Sequence, residues 1–291
     1  MNINRILLAT DLSENSLPAV RAAQELVKIH QGKYEAIHVV DLSLWKNRKM
    51  TDIWRDAELQ KKVEEKVRRF LLLERLAQPD RVIVETGTPS RSISNVAGEE
   101  DHTLVVIAMS GRGAWNRLVF GSTALQLTNR APEQVWIAHP EKWQIKKGMK
   151  IAVGTDFAPT SDAALREGAH YCRLLGSPLH IVFSTALPSE TVIADDDLPE
   201  GIERTSVNAW AEKEMADLLE RSEDILEGVE VKTQIYYEPP VWGLRRHVEE
   251  EEIGLLLLGH RRPEDRQGTS NVKAKWVQQM TCSTLLVRAS E

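Results

Sequence analysis

The stretch from Ala108 to Thr123 contains the residue types that most directly predict ligand chemistry. It follows the apolar run Leu104–Ile107, crosses a small-residue turn and ends in Gly-Ser-Thr before a helical pattern. Glycines let backbone amides approach an anion closely. A Ser-Thr pair that opens a helix adds hydroxyl donors and unpaired amides at the positive end of the helix dipole. The stretch therefore predicts a phosphate-binding loop, although an ordinary strand–loop–helix connection with a good N-cap has the same pattern.

A carboxylate is expected beside this loop. Asp11 ends the first apolar run, and ligands of open α/β sheets lie at the carboxyl ends of strands, where the strand order reverses. If the first and fourth strands are neighbours there, Asp11 and the loop flank one crevice. Asp11 could then accept hydrogen bonds from ribose hydroxyls while the loop amides and Ser122 hold phosphate, or it could cap the following helix. The pattern predicts a nucleoside phosphate and does not choose the base.

The elements that must position these residues occur twice. Ile6–Asp11 is echoed by Ile151–Asp156, and each run ends in Thr-Asp. Ala-rich helical patterns follow, Ala19–Ile29 and Asp162–Leu175, and each helix is expected to close near a glycine, at Gly32 and at Gly176. A long amphipathic helix is predicted in each half, from about Ile53 to Leu71 and from Val207 to Leu226. The remaining strands are predicted at Ala36–Val40, Val82–Val84, Leu104–Ile107 and Val135–Ile137, then at Leu179–Phe183, Val231–Ile235, Leu255–Leu258 and Leu285–Val287.

Strands that alternate with helices predict an α/β fold. We expect two tandem doubly wound domains, residues 1–143 and 149–291, each with a five-stranded parallel sheet flanked by helices. A single large doubly wound domain is the alternative. The repeated Thr-Asp strand end and the shared order of elements favour the tandem form.

Composition limits the classes of function. The net charge of −6 argues against a nucleic-acid binder, and no apolar segment approaches the roughly 18 residues that span a bilayer. Cys172 and Cys282 have no metal-ligand spacing, so we expect free thiols in a reducing, cytoplasmic compartment. The histidines show no ligand pairing, and His38 and His180 are expected to be hydrogen-bonded interior residues. The P-loop motif and the nucleophile elbow of hydrolases do not occur, and the dinucleotide fingerprint is incomplete.

Over nearly its whole length the chain resembles the universal stress protein family, in a tandem two-domain form. The resemblance is strongest at Ala9–Asp11, at Ile37–Val40 and from 108 to 137. Nucleotide-binding members carry glycine, two residues, glycine, nine residues, then Gly-Ser or Gly-Thr. Here Gly111 and Gly121-Ser122 match that spacing, and an alanine replaces the first glycine. The resemblance implies the adenine nucleotide alpha hydrolase-like fold.

The resemblance also implies a ligand and its site. The ligand would be ATP, AMP or another adenine nucleotide, with or without Mg²⁺. Asp11 and the backbone at Val39 would contact ribose and adenine, and the methyl of Ala108 would weaken the approach to phosphate. The site residues would be Ala9, Asp11, Val39, Ala108, Gly111, Arg112, Gly121, Ser122 and Thr123.

The second half departs further from the family pattern. Arg262 stands where the second glycine is expected, and Asn271-Val272 align with Gly121-Ser122, although Asp156 is retained. We expect this half to bind no nucleotide and to have a pairing or scaffolding role. A differently shaped anion site at His260, Arg261 and Arg262 stays open, and Gly268-Thr269-Ser270 would restore the loop only if it were several residues shorter.

These observations favour a regulatory stress-response protein that binds ATP in its first domain. One alternative is an interaction protein without nucleotide, built as an internal pseudo-dimer that pairs its final strands. A second alternative is slow ATP hydrolysis or self-phosphorylation at Ser122 or Thr123. The partners implied are an adenine nucleotide and a protein of unknown identity, with a homodimer open and with neither nucleic acid nor membrane.

Overall fold

The computed structural model describes residues 3–41, 57–109, 121–130, 134–187, 192–193, 205–260, 272–279 and 281–288. The described residues separate into two compact units. The first unit comprises those up to Ile145 together with those from 272 to 288, and the second comprises Lys146–His260. The domain limits 1–143 and 149–291 stay a prediction from the sequence.

Strands and helices alternate along the chain as the periodicity predicts. Up to Ile145 the elements are β1 (Arg5–Ala9), a 3-10 turn (Glu14–Ser16), α1 (Leu17–His30), β2 (Lys33–Val40), α2 (Ala57–Leu73), β3 (Arg81–Thr86), α3 (Pro89–Ala97), β4 (Thr103–Ala108), α4 (Ser122–Arg130) and β5 (Gln134–Ala138). They continue as β6 (Ile151–Thr155), α5 (Pro159–Leu175), β7 (Leu179–Ser184), β8 (Val192–Ile193), β9 (Thr205–Ser206), α6 (Val207–Arg221), α7 (Glu223–Leu226), β10 (Val231–Tyr236), α8 (Pro240–Glu250), β11 (Leu255–His260), α9 (Val272–Gln279) and β12 (Ser283–Arg288).

In the first unit the strands lie in the order β12-β5-β4-β1-β2-β3. Strands β1 to β5 are parallel, and every residue of β1, β4 and β5 is buried. Such nearly continuous apolar strands are typical of a parallel sheet covered on both faces. The chain runs from β1 outward through β2 to β3 and then returns to β4, on the other side of β1. The predicted neighbourhood of the first and fourth strands is therefore confirmed, and the strand order reverses between them.

The last strand of the chain belongs to the first unit because it pairs with β5. This pairing is antiparallel, with Leu285 opposite Trp136. The indole of Trp276 on α9 donates to the Thr284 hydroxyl at 2.9 Å, and both residues are buried. The pairing expected between the final strands of the two repeats is confirmed.

The second unit repeats the parallel arrangement, with the strand order β10-β7-β6-β11. Here β6 lies between β7 and β11, as β1 lies between β2 and β4. Two differences from the sequence expectations occur. The short antiparallel pair β8–β9 was not predicted, and the helix predicted from Val207 to Leu226 is divided into α6 and α7 at Ser222, whose φ of −114° lies outside the helical range.

Both Ala-rich helices close near the expected glycines. Gln31, directly before Gly32, caps α1 in the left-handed conformation (φ 53°), and Gly176 itself caps α5 (φ 61°). Gly32 has a different reason to be glycine, because a Cβ there would lie 2.7 Å from the carbonyl oxygen of Asn4. Both cysteines are buried thiols that form no disulfide. No described helix has the length and apolar character needed to cross a bilayer.

Candidate functional site

The carboxyl ends of β2, β1 and β4 meet at one edge of the first sheet. Leu8 pairs with Val106 and Ala9 pairs with Ile37, so parallel register places Thr10 level with Ala108 on one side and with His38 on the other. One residue further along, the same register places Asp11 level with Met109 and Val39. The fold thus brings the predicted residues Ala9, Asp11, Val39 and Ala108 to one edge, at the point where the strand order reverses.

The loop after β1 holds Asp11 in a tight turn. The Asp11 Oδ1 atom accepts hydrogen bonds from the Ser13 amide at 3.0 Å and from the Ser13 hydroxyl at 2.6 Å. Leu12 between them has a φ of 62°, in the left-handed region that non-glycine residues seldom adopt. Asp11 therefore stabilises the turn that precedes the 3-10 turn and α1. Its alternative role as a helix cap and its contact with ribose both stay predictions.

The residues after β4 connect to the N-terminus of α4. Ala108 and Met109 are buried, and the Gly121 amide donates to the Met109 carbonyl at 2.8 Å. The Leu125 amide donates to the Gly121 carbonyl at 3.2 Å, so Gly121 is the N-cap of α4, which begins at Ser122. Because the first amides of a helix have no partner within the helix, those of Ser122 and Thr123 are the predicted phosphate donors that the fold places here. Gly111 and Arg112 lie outside the described residues.

Val39 lies on the other side of β1, where β2 meets β3. It is half-buried and pairs with Glu85, and the Gly87 amide donates to the Val40 carbonyl at 3.1 Å. Gly87 has a φ of 136°, a conformation that favours glycine. The backbone of Val39 therefore faces a fixed turn after β3, on the side where the resemblance implies adenine.

Polar groups beneath this edge were not among the predicted site residues. Thr10, Ser16 and His38 are buried, and the His38 Nδ1–H donates to the Thr10 carbonyl at 2.8 Å. This bond confirms His38 as a hydrogen-bonded interior residue. The signal was present in the sequence, because Thr-Asp is followed by a serine five residues after the aspartate in both halves, at Ser16 and at Ser161.

Three aromatic side chains pack together at the matching edge of the second unit. Thr155 pairs with Phe183, so Phe183 occupies the position that His38 has in the first unit. The rings of Phe183, Phe157 and Trp210 pack together, with Phe157 and Phe183 centroids 4.6 Å apart. A Cβ on Gly259 would lie 2.0 Å from the Thr160 carbonyl oxygen.

Gly259 has a packing role in the second unit, because it has no Cβ. It lets the end of β11 approach the start of α5, and Gly259 is the counterpart of Ala108. His260 is buried, whereas Arg261 and Arg262 lie outside the described residues. Within the described part of the chain, no three His, Cys, Asp or Glu side chains come together as a metal site.

Two segments of the chain match the sequence profile of one known protein family. The sequence profile described as the universal stress protein family matches residues 2–139 and again residues 149–288. None of the curated proteins matches the chain.

Among solved structures, a universal stress protein from Archaeoglobus fulgidus DSM 4304 is 19% identical, with a TM-score of 0.70 and all of both chains covered. A provisionally assigned universal stress protein from Pseudomonas aeruginosa UCBPP-PA14 is 12% identical, with a TM-score of 0.63 over 98% of this chain and 93% of that one. These likenesses show a shared fold.

The two profile matches cover nearly the whole chain, and each contains the repeated order of strands and helices described above. The chain therefore belongs to the universal stress protein family, in the form that carries two domains in tandem.

Proposed function

We propose that the first domain binds an adenine nucleotide, with ATP as the leading ligand, and that this binding regulates a stress response. The observation that carries the proposal is the reversal of strand order between β1 and β4. It brings Asp11, Val39 and the N-terminus of α4 to one edge of the sheet, where ligands of open α/β sheets bind.

Each group at this edge has a chemical role in the proposal. The Asp11 carboxylate accepts hydrogen bonds from ribose hydroxyls, and the backbone of Val39 contacts the base. The amides and hydroxyls of Ser122 and Thr123 bind phosphate at the positive end of α4. Gly121 contributes by joining the ends of the loop, since its own amide already donates to Met109. Mg²⁺ bound with ATP would be held through phosphate oxygens.

The proposal assigns nucleotide binding to the first domain alone. In the second domain, the aromatic side chains Phe157, Phe183 and Trp210 pack at the corresponding edge. Nucleotide binding then changes the contact of this protein with a protein partner in the cytoplasm. The family membership and the unequal edges of the two domains support this reading.

Titration calorimetry of nucleotide-free protein with ATP and AMP tests the proposal. The wild type is expected to bind, and Asp11→Ala to weaken binding by about tenfold or more, because a hydrogen bond to a charged group is lost. Gly111→Val is expected to weaken binding strongly, because its side chain blocks the approach of the backbone.

Asp156→Ala is the matched control, since Asp156 occupies the same position in the second domain. Its affinity should equal that of the wild type. The proposal is wrong if neither the wild type nor Ala108→Gly binds either nucleotide, or if Asp156→Ala loses as much affinity as Asp11→Ala.

A further inference from the structure

Three buried side chains form a hydrogen-bonded network directly beneath the Asp11 turn. The hydroxyls of Thr10 and Ser16 are 3.0 Å apart, and the Ser16 hydroxyl donates to the Ser13 carbonyl at 2.7 Å. His38 donates to the Thr10 carbonyl at 2.8 Å. Thr10 is 6% exposed, Ser16 is 3% exposed and His38 is 9% exposed. The network therefore joins β1, β2 and the 3-10 turn at the edge of the proposed nucleotide site.

This network holds the one strained residue of the turn. Leu12 adopts a φ of 62°, a backbone conformation that is unfavourable for any residue that has a Cβ. The Leu12 amide donates to the Thr10 hydroxyl oxygen at 3.1 Å, and the following amide, that of Ser13, donates to Asp11. The Thr10 hydroxyl thus holds the backbone that carries the Asp11 carboxylate.

The second domain repeats the turn with a different hydrogen-bond pattern. The Phe157 amide donates to the Thr155 hydroxyl oxygen at 2.9 Å, and Phe157 has a φ of 61°. The Ser161 hydroxyl, however, donates to the Asp156 carboxylate at 2.7 Å. At the position of His38 this domain has Phe183, whose ring packs on Phe157 and Trp210.

Both aspartates accept a hydrogen bond from the amide two residues further on, and they differ in their hydroxyl partners. In the first domain the serine five residues beyond the aspartate bonds to the threonine beneath it, and the carboxylate is held by Ser13. In the second domain the equivalent Ser161 bonds directly to the carboxylate of Asp156. Two replacements near the turn accompany this difference: Phe183 stands in place of His38 in the neighbouring strand, and Ala158, which has no hydroxyl, stands in place of Ser13.

We propose that Thr10, Ser16 and His38 are positioning residues of the nucleotide site, which fix the turn so that Asp11 presents its carboxylate to the ribose. This inference rests on the proposed function. The three side chains act through the backbone of residues 10 to 13 and touch no ligand themselves. The exchange of His38 for Phe183 is then one reason why the second domain lacks the site.

Thr10→Val tests the inference, because valine has the shape of threonine without the hydroxyl. Two quantities are measured: the hydrogen-exchange rates of the Leu12 and Ser13 amides in nucleotide-free protein, and the affinity for AMP and ATP. Thr10→Val should raise the Leu12 exchange rate and lower the affinity, each by about tenfold, as the loss of one buried hydrogen bond predicts. Thr10→Ser keeps the hydroxyl and should restore both values.

Thr155→Val is the matched control in the second domain. It removes the equivalent hydroxyl and should leave both the exchange of Leu12 and the nucleotide affinity at wild-type values. A general loss of stability would affect both variants, and the thermal midpoints of the two should therefore be compared.

Two results would overturn the inference. One is an unchanged Leu12 exchange rate in Thr10→Val, and the other is an unchanged affinity in that variant when the wild type binds nucleotide. If the wild type binds no nucleotide, the proposed function is wrong, and the exchange rates still decide whether the hydroxyl of Thr10 holds the turn.

Discussion

A pair of buried charges in the first unit shows how single residues support the sheet that carries the site. The Arg5 guanidinium donates to the Glu35 carboxylate at 2.8 and 2.6 Å and to the Val96 carbonyl at 2.9 Å. Arg5 is 1% exposed. The pair lies at the amino ends of β1 and β2, away from the ligand edge, and its role is to join these strands to the end of α3.

Glu35→Ala is expected to lower the free energy of unfolding by about 3–5 kcal/mol, because it leaves the Arg5 guanidinium buried without its carboxylate. Urea denaturation measures the loss. The control is Glu25→Ala, which removes the exposed Lys28–Glu25 ion pair and should cost less than about 1 kcal/mol. Equal losses in the two variants would contradict the structural role assigned to Arg5.

At the scale of the elements, the two domains differ in how closely the helix after the first strand approaches the fourth strand. In the second domain Gly259 admits the Thr160 backbone at a distance that no Cβ tolerates. In the first domain the 3-10 turn contacts β4, and this position carries the methyl of Ala108, which is 7% exposed. The glycine that begins the loop motif therefore has a packing role in this chain.

Two separate variants, Gly259→Ala and Ala108→Gly, should lower the free energy of unfolding by different amounts. Gly259→Ala forces a Cβ against backbone atoms and should destabilise the protein by about 1–3 kcal/mol. Ala108→Gly relieves no such contact and should cost about 0.5–1 kcal/mol through backbone entropy. Urea denaturation of both variants measures the difference, and a fully stable Gly259→Ala would show that α5 can move away from β11.

For the whole molecule, the sequence predicted the elements that depend on periodicity and repetition. The echo of Ile6–Asp11 in Ile151–Asp156 and the alternation of strands with helices predicted two parallel α/β repeats, and the structure and the profile matches confirm them. The edge of the sheet that gathers Asp11, Val39 and Ala108 was also predictable, because the carboxyl ends of parallel strands meet at one edge.

The features that the sequence did not predict depend on the backbone conformation of single residues. Nothing in the types of Leu12 and Gln31 indicates a left-handed φ, and the break at Ser222 has no glycine or proline to mark it. The network of Thr10, Ser16 and His38 depends on the register between β1 and β2, which alternation alone does not fix. The close approach of Gly32 to Asn4 is a tertiary contact, which the local sequence pattern does not show.

The second unit contains a buried histidine pair that should make its stability depend on pH. His180 Nδ1 and His247 Nε2 are 2.9 Å apart, and the Tyr236 hydroxyl is 3.2 Å from His247 Nδ1. Burial lowers the pKa of His180, and burial together with the neighbouring His180 lowers the pKa of His247 to about 4. Both imidazoles are therefore neutral in the folded protein at neutral pH.

The free energy of unfolding should fall as the pH decreases from about 6.5 to about 4. In this range the histidines of the unfolded chain bind protons, whereas the buried histidines of the folded protein stay neutral. The slope that His247 contributes is at most about 1.4 kcal/mol per pH unit, and His180 contributes in the same direction. Urea denaturation across this range measures it. His180→Gln/His247→Gln should flatten the profile and the exposed His102→Gln should not, so a double variant as acid-sensitive as the wild type would contradict this prediction.

The central claim is that the chain holds one adenine nucleotide, in its first domain. Native mass spectrometry of the purified protein titrated with ATP tests it most directly, because it counts ligands per chain. The account predicts one bound nucleotide per chain in the wild type and in Asp156→Ala, and a much lower occupancy in Asp11→Ala at an ATP concentration near the wild-type dissociation constant. Two bound nucleotides, or none in the wild type, would contradict it.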